Sequence, residues 1–556
     1  MIEAMSGEGS SGRWRSLFAA AVAVAALVAL PSCRRAEPPE PPPAGTPRLA
    51  VVVVADQFLY EYLDRVRPLV SGGLARLLDE GVSFAEAHHG HAVTVTAVGQ
   101  AVLSTGAHPA RSGIVGNDWL DRETGEEVYC VEDPEHEISP RNLLVRALGD
   151  WLQERYPEAK VYSAGGKDRS AVLMGGQRPD GVFWYDREDG GFTTSSYYPE
   201  PPEWVGAFED EGVPPELFLG AAWEPLPVDP AAAEAAGFAP LDRGPFDRGF
   251  PRVLGNFAAV PNERFYYDLY DSPFGDEHLG RFALRLVEEE ELGADEWPDL
   301  LALSFASLDN VGHDYGPHSP EVLDTLLRLD RVLGELFALL DERVGRDGWV
   351  VALSSDHGVI PLPESPAGSA AGARRSGLAE VRCVRRAGTR LVRRFGTEIW
   401  RGSGDYLDPR ALDEAGLDAA EVEAAVAREL ERCPNVARVW TRSGLAASPA
   451  PVGPFVPGSA TWYELLYRNA LHPERSPNVF LQPAPYQLDL LGALTTHGSP
   501  YAYDTHVPFV VAGPGIAPAT VAETVLTVDL APTLAELLAV PVPEGVDGVS
   551  RAGRLR

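Results

Sequence analysis

Three strand-like apolar runs in this chain each close on an aspartate. Leu49 to Ala55 (LAVVVVA) leads into Asp56, LLALSFASL into Asp309, and WVVALSS into the pair Asp356-His357. From Leu49 onward such runs alternate with helical stretches, the pattern of a mostly parallel sheet covered by helices on both faces. In open sheets of this kind the edge at the strand C-termini is where active sites form. A lone aspartate after a hydrophobic run is ordinarily a helix cap or a turn residue, so no one of the three carries meaning alone. Together with His313, His357 and His497 they make six potential metal ligands spread over most of the chain.

At 556 residues and 45% hydrophobic content the chain can bury a large core, and its length corresponds to two to four domain-sized units. Its 47 basic and 81 acidic residues leave a net charge of −34, which argues against a nucleic-acid or anionic-membrane surface and for a solvated acidic exterior. Such a body repels anions. A site for an anionic substrate would need its own local cations, either divalent metals or clustered basic side chains.

The N-terminus reads as an export signal: Arg13 and Arg15 precede an apolar stretch from Leu17 to Leu30 that is short for a membrane span. Leu30-Pro31-Ser32-Cys33 resembles a bacterial lipobox, although Pro31 is unusual there. Residues 1–33 are therefore expected to be a signal peptide ending in a lipidated cysteine, and 34–47 (RRAEPPEPPPAGTP) a stiff proline-rich tether. The protein is expected in the periplasm or cell envelope, touching membrane only through that anchor. Cys130, Cys383 and Cys433 match no zinc ribbon or disulfide framework. Export permits one bridge with one free thiol, but three scattered cysteines in so long a chain are read as inert.

Residues 48–556 read as one α/β unit with two insertions. Ser319-Pro320 should open a helix whose Leu326, Leu329, Leu333, Leu336 and Leu340 recur at helical spacing. The first insertion, about 180–261, is rich in Gly, Pro and aromatics and is read as a long loop near the site mouth. The second, about 361–487, is read as an α+β cap with a helix opened by Asp418 and a strand at Ala437. The charged stretch around Arg374-Arg375 and Arg385-Arg386 is read as a solvated face.

Asp309 and His313 are four apart, and Asp356 and His357 are adjacent, so each pair can direct an oxygen and a nitrogen to one metal. Asp56 and His497 are available to complete three ligands at each, leaving open positions. Lys167 and Arg169, two apart after KVYSA, would point the same way from an extended backbone and could grip one phosphate dianion.

In combination these segments resemble the alkaline phosphatase superfamily, and within it the PafA-type bacterial phosphatases. The carriers are VVVVADQF, VTVTAVGQAVLSTGAHPARSGIVGNDW, GGKDRSAV, SLDNVGHDYGPHSP, SSDHG and HGSPYAYDTHVP, spanning almost the full mature length. The resemblance implies an alkaline-phosphatase-like three-layer αβα sandwich with a mostly parallel central sheet and the inserted cap. It implies two Zn²⁺ ions, one held by Asp309, His313 and His497 and the other by Asp56, Asp356 and His357 together with the nucleophile, Thr96, whose hydroxyl would itself be a metal ligand. Lys167, Arg169 and Asn117 would contact the phosphoryl group, and the reaction would be hydrolysis of small phosphate monoesters through a phosphothreonine. Thr94 is the rival position, two residues before the family's nucleophile.

The chain also departs from the family. Val93, Val98 and Gln100 stand where the nucleophile motif commonly has proline, proline and histidine, which bears on the shape of that turn and not on the metal set. His88, His89 and His91 show no carboxylate partner and are read as a loop beside the site, with His318 and His506 as neighbours of ligands. Two other functions fit part of the evidence. One is a phosphodiesterase or nucleotide pyrophosphatase using the same metals, and the other a noncatalytic surface lipoprotein that binds metal or glycan. A sulfatase is disfavoured, since no cysteine lies in a Cys-x-Pro-x-Arg context, and Asp/His sites also accept manganese or iron.

Overall fold

The computed structural model describes residues 40–210, 218–240, 249–257, 260–402, 404–453, 455–488 and 494–556. The expected signal segment and lipobox Cys33 lie outside the described residues. Pro41–Arg556 forms one compact unit.

The strand Leu49–Ala55 shows how the sequence builds the layers. Every one of its residues is buried, because the sheet is covered on both faces. Alternate side chains point to opposite faces. Leu49, Val51, Val53 and Ala55 join one core with Leu326, Leu333 and Leu340, while Ala50, Val52 and Val54 join a second core with Trp151, Leu152 and Leu534. Burying each such Val or Leu contributes about 1.5–3 kcal/mol.

Nine strands form the central sheet. Their order is Ala519–Leu526, Val82–His88, Phe509–Ala512, Trp349–Ser354, Leu49–Ala55, Asp299–Phe305, Val161–Gly165, Gly181–Tyr185 and Phe192–Thr193. Leu49–Ala55 pairs in parallel with Trp349–Ser354 on one side and Asp299–Phe305 on the other, and the latter runs parallel to Val161–Gly165. Phe509–Ala512 is antiparallel to both its neighbours. The result is the mixed, mostly parallel three-layer sandwich expected for an alkaline-phosphatase-like fold.

The helix Pro320–Arg343 begins where Ser319-Pro320 places it: Ser319 Oγ accepts from Val322 N at 3.2 Å, and proline occupies the first turn, where its missing N–H costs nothing. Two expectations need correction. Within 180–261, Gly181–Tyr185 and Phe192–Thr193 are strands of the central sheet, and Phe192, Trp204, Phe208 and Trp223 are buried in the main core. Aromatics spaced by Gly and Pro hide the period-2 signal because nearly every one of them packs inward. The cysteines are not all inert either. Cys383 and Cys433 form a disulfide with Cα atoms 5.6 Å apart, and Cys130 is a buried free thiol. Spacing could not reveal the pair, since helix packing brings the two residues together.

Between Ser354 and Phe509 the chain builds a separate small core from residues such as Leu391, Leu407, Val422, Val426 and Val439. Asp418 Oδ1 accepts from Glu421 N at 3.0 Å to open the helix Ala419–Leu430. The strand Val436–Thr441 pairs antiparallel with Val479–Pro483.

Candidate active site

The six candidate ligands converge at the C-terminal ends of the central parallel strands. Asp56 directly follows Leu49–Ala55, and Asp356 and His357 come two residues or so after Trp349–Ser354. Asp309 is placed differently from its sequence reading. The strand ends at Phe305, and Asp309 lies in the helix Ser307–Tyr315 that follows. Residues four apart on a helix share a face, so His313 Nε2 comes within 3.1 Å of Asp309 Oδ1.

Asp56, Asp356 and His357 bring their ligand atoms within 4.8 Å of one another, as do Asp309, His357 and His497. His357 thus belongs to both groups, and its ring stacks on that of His497 with centroids 3.5 Å apart. Asp56, Asp356 and His357 are 0% exposed and Asp309 5%. Carboxylates are rarely buried without cations or hydrogen-bond donors to compensate them.

The imidazoles are oriented from behind. His313 Nδ1 donates to Thr495 O at 3.2 Å, His357 Nδ1 to Gly358 O at 3.0 Å, and His497 Nδ1 to Thr94 O at 2.9 Å. Since a carbonyl only accepts, each ring carries a proton on Nδ1 and turns Nε2 toward the carboxylates; burial leaves it a lone pair on His357 and His497, while at His313 burial is opposed by Asp309, which favours a second proton there. Ligand histidines are commonly fixed in this way.

The donor set fits divalent cations. Of the three buried carboxylates two touch an ammonium: Lys167 Nζ lies 2.5 Å from Asp56 Oδ2 and 2.7 Å from Asp309 Oδ2. Asp56 Oδ1 and His357 Nε2 face each other at 3.3 Å, both buried and neither with a hydrogen-bond partner. Burial and the charge of neighbouring Asp56 push the Asp356 carboxyl well above the ordinary range. Burial would also raise Asp309, but the charges of Lys167 and His313 outweigh it and hold that carboxyl well below. Burial and the neighbouring His357 keep His497 neutral. Oxygen and imidazole donors with unspent lone pairs in one dry site are what a two-metal centre requires.

Thr96 is the first residue of the helix Thr96–Thr105 and is buried. Asn117 Oδ1 accepts from Ala97 N at 3.0 Å, tying Asn117 to the turn that opens the Thr96 helix. Gly99 lets the helix approach the ligands: a Cβ there would sit 2.1 Å from the carbonyl oxygen of Asp356. Thr94, the rival position, is occupied otherwise, its hydroxyl donating to Ser499 O at 2.9 Å.

Lys167 and Arg169 do not lie in an extended backbone. The strand ends at Gly165, Lys167 caps the helix Asp168–Gly175, and Arg169 is in that helix. The expected strand alternation therefore does not set their directions, and the two reach different partners. Arg169 is held by Tyr129, with Nη1 3.4 Å from the hydroxyl, while Lys167 reaches into the carboxylates. A cavity of about 600 Å³ opens beside Asn117, lined by Val95, Trp119, Tyr467, Phe480 and Gly498 among others.

Several supporting residues were missed from sequence. Gln57 Nε2 donates to Asp309 Oδ1 and Gln57 N to Asp356 Oδ1, from a backbone held at φ +66°. Gln100 Nε2 donates to Ser304 Oγ at 2.9 Å and faces Asp356 Oδ2 at 3.4 Å. Asp276 Oδ1 accepts from Ala306 N and Ser307 N at the start of the Asp309 helix, and Asp504 Oδ2 accepts from Ser499 N beside the His497 turn. Gln57 could have been suspected from its adjacency to Asp56, but the two buried aspartates carry no local signal.

The other histidines behave as follows. His88 does have a carboxylate neighbour, Glu86, whose Oε2 lies 3.4 Å from its Nε2, because alternate residues of a strand share a face. His89 is a buried support, bonded to Ser355 O and Thr527 Oγ1. His318 pairs with Glu61, and His506 stacks on Tyr60 and His88.

Comparison with known proteins agrees with this architecture. Residues 50–447 match the family model described as type I phosphodiesterase / nucleotide pyrophosphatase. The chain is 30% identical to alkaline phosphatase PhoV of Synechococcus elongatus, over 91% of this chain and 93% of that protein. It is also 30% identical to alkaline phosphatase PafA of Elizabethkingia meningoseptica, over 90% of this chain and 93% of that protein. A crystal structure of wild-type PafA superimposes with a TM-score of 0.79 at 29% identity, covering 91% of this chain and 98% of that one. The phosphonoacetate hydrolase of Sinorhizobium meliloti shares the fold, with a TM-score of 0.54 at 18% identity. With the family model matched over most of its length, the chain belongs to the type I phosphodiesterase / nucleotide pyrophosphatase family of alkaline-phosphatase-like phosphoric ester hydrolases.

Proposed function

We propose that this protein is a zinc-dependent alkaline phosphatase that hydrolyses phosphate monoesters, with Thr96 as nucleophile. The observation that carries the reading is the convergence of three buried carboxylates with buried His357 and half-buried His313 and His497, each ring held through Nδ1, close to the helix that Thr96 opens. Asp309, His313 and His497 would hold one ion and Asp56, Asp356 and His357 the other. Two bound ions would supply the Lewis acidity that makes a threonine hydroxyl nucleophilic and stabilises charge on the leaving oxygen.

Thr96 Oγ1 forms the bond to phosphorus as the ester P–O bond breaks and the alcohol leaves, and water then cleaves the phosphothreonine to release phosphate. Asn117, tied to the backbone after Thr96, fixes the nucleophile turn and offers its amide to a phosphoryl oxygen. Lys167 and Arg169 contribute the positive charge that a phosphoryl dianion needs inside an acidic protein. That pair also favours monoesters over diesters, whose single charge needs less compensation. The names of the relatives PhoV and PafA support the same choice, whereas the family model's own name keeps diester hydrolysis as the second reading.

The test compares p-nitrophenyl phosphate with bis-p-nitrophenyl phosphate, zinc-loaded and chelated, for the wild type, Thr96→Ala and Lys167→Ala/Arg169→Ala. Expected are chelator-sensitive monoester turnover, its loss in Thr96→Ala, and a fall in the monoester-to-diester ratio in the double variant. Preferential diester turnover by the wild type would overturn the assignment. Silence on both esters with metal still bound would favour the noncatalytic lipoprotein.

The same reading places the protein outside the cytoplasm as a lipid-anchored envelope enzyme acting on small phosphate esters and not on nucleic acid. The Cys383–Cys433 disulfide supports an oxidising compartment.

A further inference from the structure

The helix Leu378–Phe395 inverts the charge of the molecule around it. It carries six arginines and one glutamate in a chain of net charge −34. Only Ala387 and Leu391 are buried, and Leu391, with partly buried Cys383, Val384 and Phe395, seats the helix on the small core of the inserted region. Cys383 clamps it to Cys433, just beyond the helix Ala419–Leu430.

Its outward surface has two stripes at helical spacing. One runs through Leu378, Val381, Arg385, Gly388 and Val392, with Leu378, Val381 and Val392 exposed by 61%, 41% and 37%. The other runs through Arg382, Arg386, Thr389 and Arg393, all exposed. Arg390 is paired with Glu429 and Arg394 lies over Phe395. Among the described residues, Arg382, Arg385, Arg386 and Arg393 have no ion-pair partner. A groove of about 640 Å³ borders the apolar stripe, lined by Gly388, Val392, Trp400 and Leu481, and Leu481 is itself 44% exposed. This groove and the cavity beside Asn117 share Gly402, Asp405, Val479 and Leu481 in their walls, so the two adjoin.

We propose that this helix docks the protein on an anionic phospholipid surface. Arginines left unpaired in an acidic protein are not explained by internal stability, and a solvated face has no use for exposed Leu and Val beside them. An interfacial helix needs both: apolar side chains that enter the headgroup boundary and basic ones that meet acidic headgroups. The helix lies along the surface and does not cross it; no described helix is long and apolar enough to span a membrane.

The experiment is flotation of the full chain with phosphatidylcholine vesicles, with and without a fraction of phosphatidylglycerol, at low and high salt. Wild type is compared with Arg382→Glu/Arg385→Glu/Arg386→Glu/Arg393→Glu and with Val381→Ser/Val392→Ser. Thermal melts and p-nitrophenyl phosphate turnover should be unchanged in both, which separates lost docking from lost folding. The N-terminal apolar segment and its flanking arginines Arg13, Arg15, Arg34 and Arg35 are common to all three proteins, so the helix is read from the difference between wild type and variant. Expected is an added, salt-sensitive binding to anionic vesicles, reduced at least about tenfold by the arginine reversals and more weakly by the serines. Equal binding to neutral and anionic vesicles, or equal binding by wild type and the arginine variant, would overturn the proposal. So would arginine-dependent binding to an acidic protein or to DNA without binding to the vesicles.

Discussion

Gly99 and Gln57 set the distances on which the site depends. At Gly99 the obstacle to a side chain is the backbone of Asp356, which has no rotamer to yield. Gly99→Ala should therefore displace either the Thr96 helix or Asp356, outweighing the modest helix-propensity gain of alanine. Overpacking of this kind costs about 1–3 kcal/mol, so a lower melting temperature should accompany a larger fall in kcat than in substrate affinity. Gln57 works through its amide on Asp309, so Gln57→Ala should leave the fold intact and weaken metal affinity or turnover by roughly 10- to 100-fold, read by competitive chelation. An unchanged chelation midpoint would remove Gln57 from the supporting shell. Glu61 gives a pH signature. Partial desolvation of this half-exposed side chain opposes its charge, but the hydrogen bond and charge of His318, with help from Arg65, hold the carboxyl at about 2 instead of 4.5. A lowered carboxylate pKa adds stability above the unfolded value and loses it below. The difference in melting temperature between wild type and Glu61→Gln should be full above about pH 4.5 and fade as pH falls toward 2.

At the scale of elements, legibility followed local chemistry. Ser319-Pro320 and Asp418 announce their helices because a cap is a contact within four residues, and the Leu49 run announces a doubly covered strand because every position is apolar. The Asp309 segment looked like a strand ending in a ligand, yet the strand stops at Phe305 and the pairing with His313 is helical. Both versions place an oxygen and a nitrogen together, which is why the ligand candidates were readable although the element was not. Gly181–Tyr185 was lost among aromatics, and the meeting of Cys383 with Cys433 depends on how two helices pack. That disulfide closes a loop with a sequence separation of 50, worth about 4 kcal/mol in the chain-entropy account. Its reduction, or Cys383→Ser/Cys433→Ser, should speed hydrogen exchange across the helices Leu378–Phe395 and Ala419–Leu430 while the central sheet stays protected. Uniform loss of protection would show that the inserted region does not open on its own.

For the whole molecule, the site exists only when residues from Asp56 to His497 are assembled, so metal binding and global stability are linked. Without divalent ions the fold must keep Asp56, Asp309 and Asp356 buried with Lys167 as the ammonium in contact with them, touching only Asp56 and Asp309. Asp356 then has burial and Asp56 against its charge. Ions that bind the folded chain and not the unfolded one stabilise it by mass action, about 2.7 kcal/mol per site at a free concentration 100 times the dissociation constant. Chelation should accordingly lower the melting temperature, and zinc should restore it in a concentration-dependent manner. Asp56→Asn/Asp356→Asn should blunt that response, because it relieves the carboxylate repulsion and removes ligands at the same time. Thr96→Ala should keep most of it, since the imidazoles and carboxylates remain in place. A melting temperature indifferent to chelator would mean that hydrogen bonding alone compensates the buried charges, and the case for a two-metal centre would lose its thermodynamic basis.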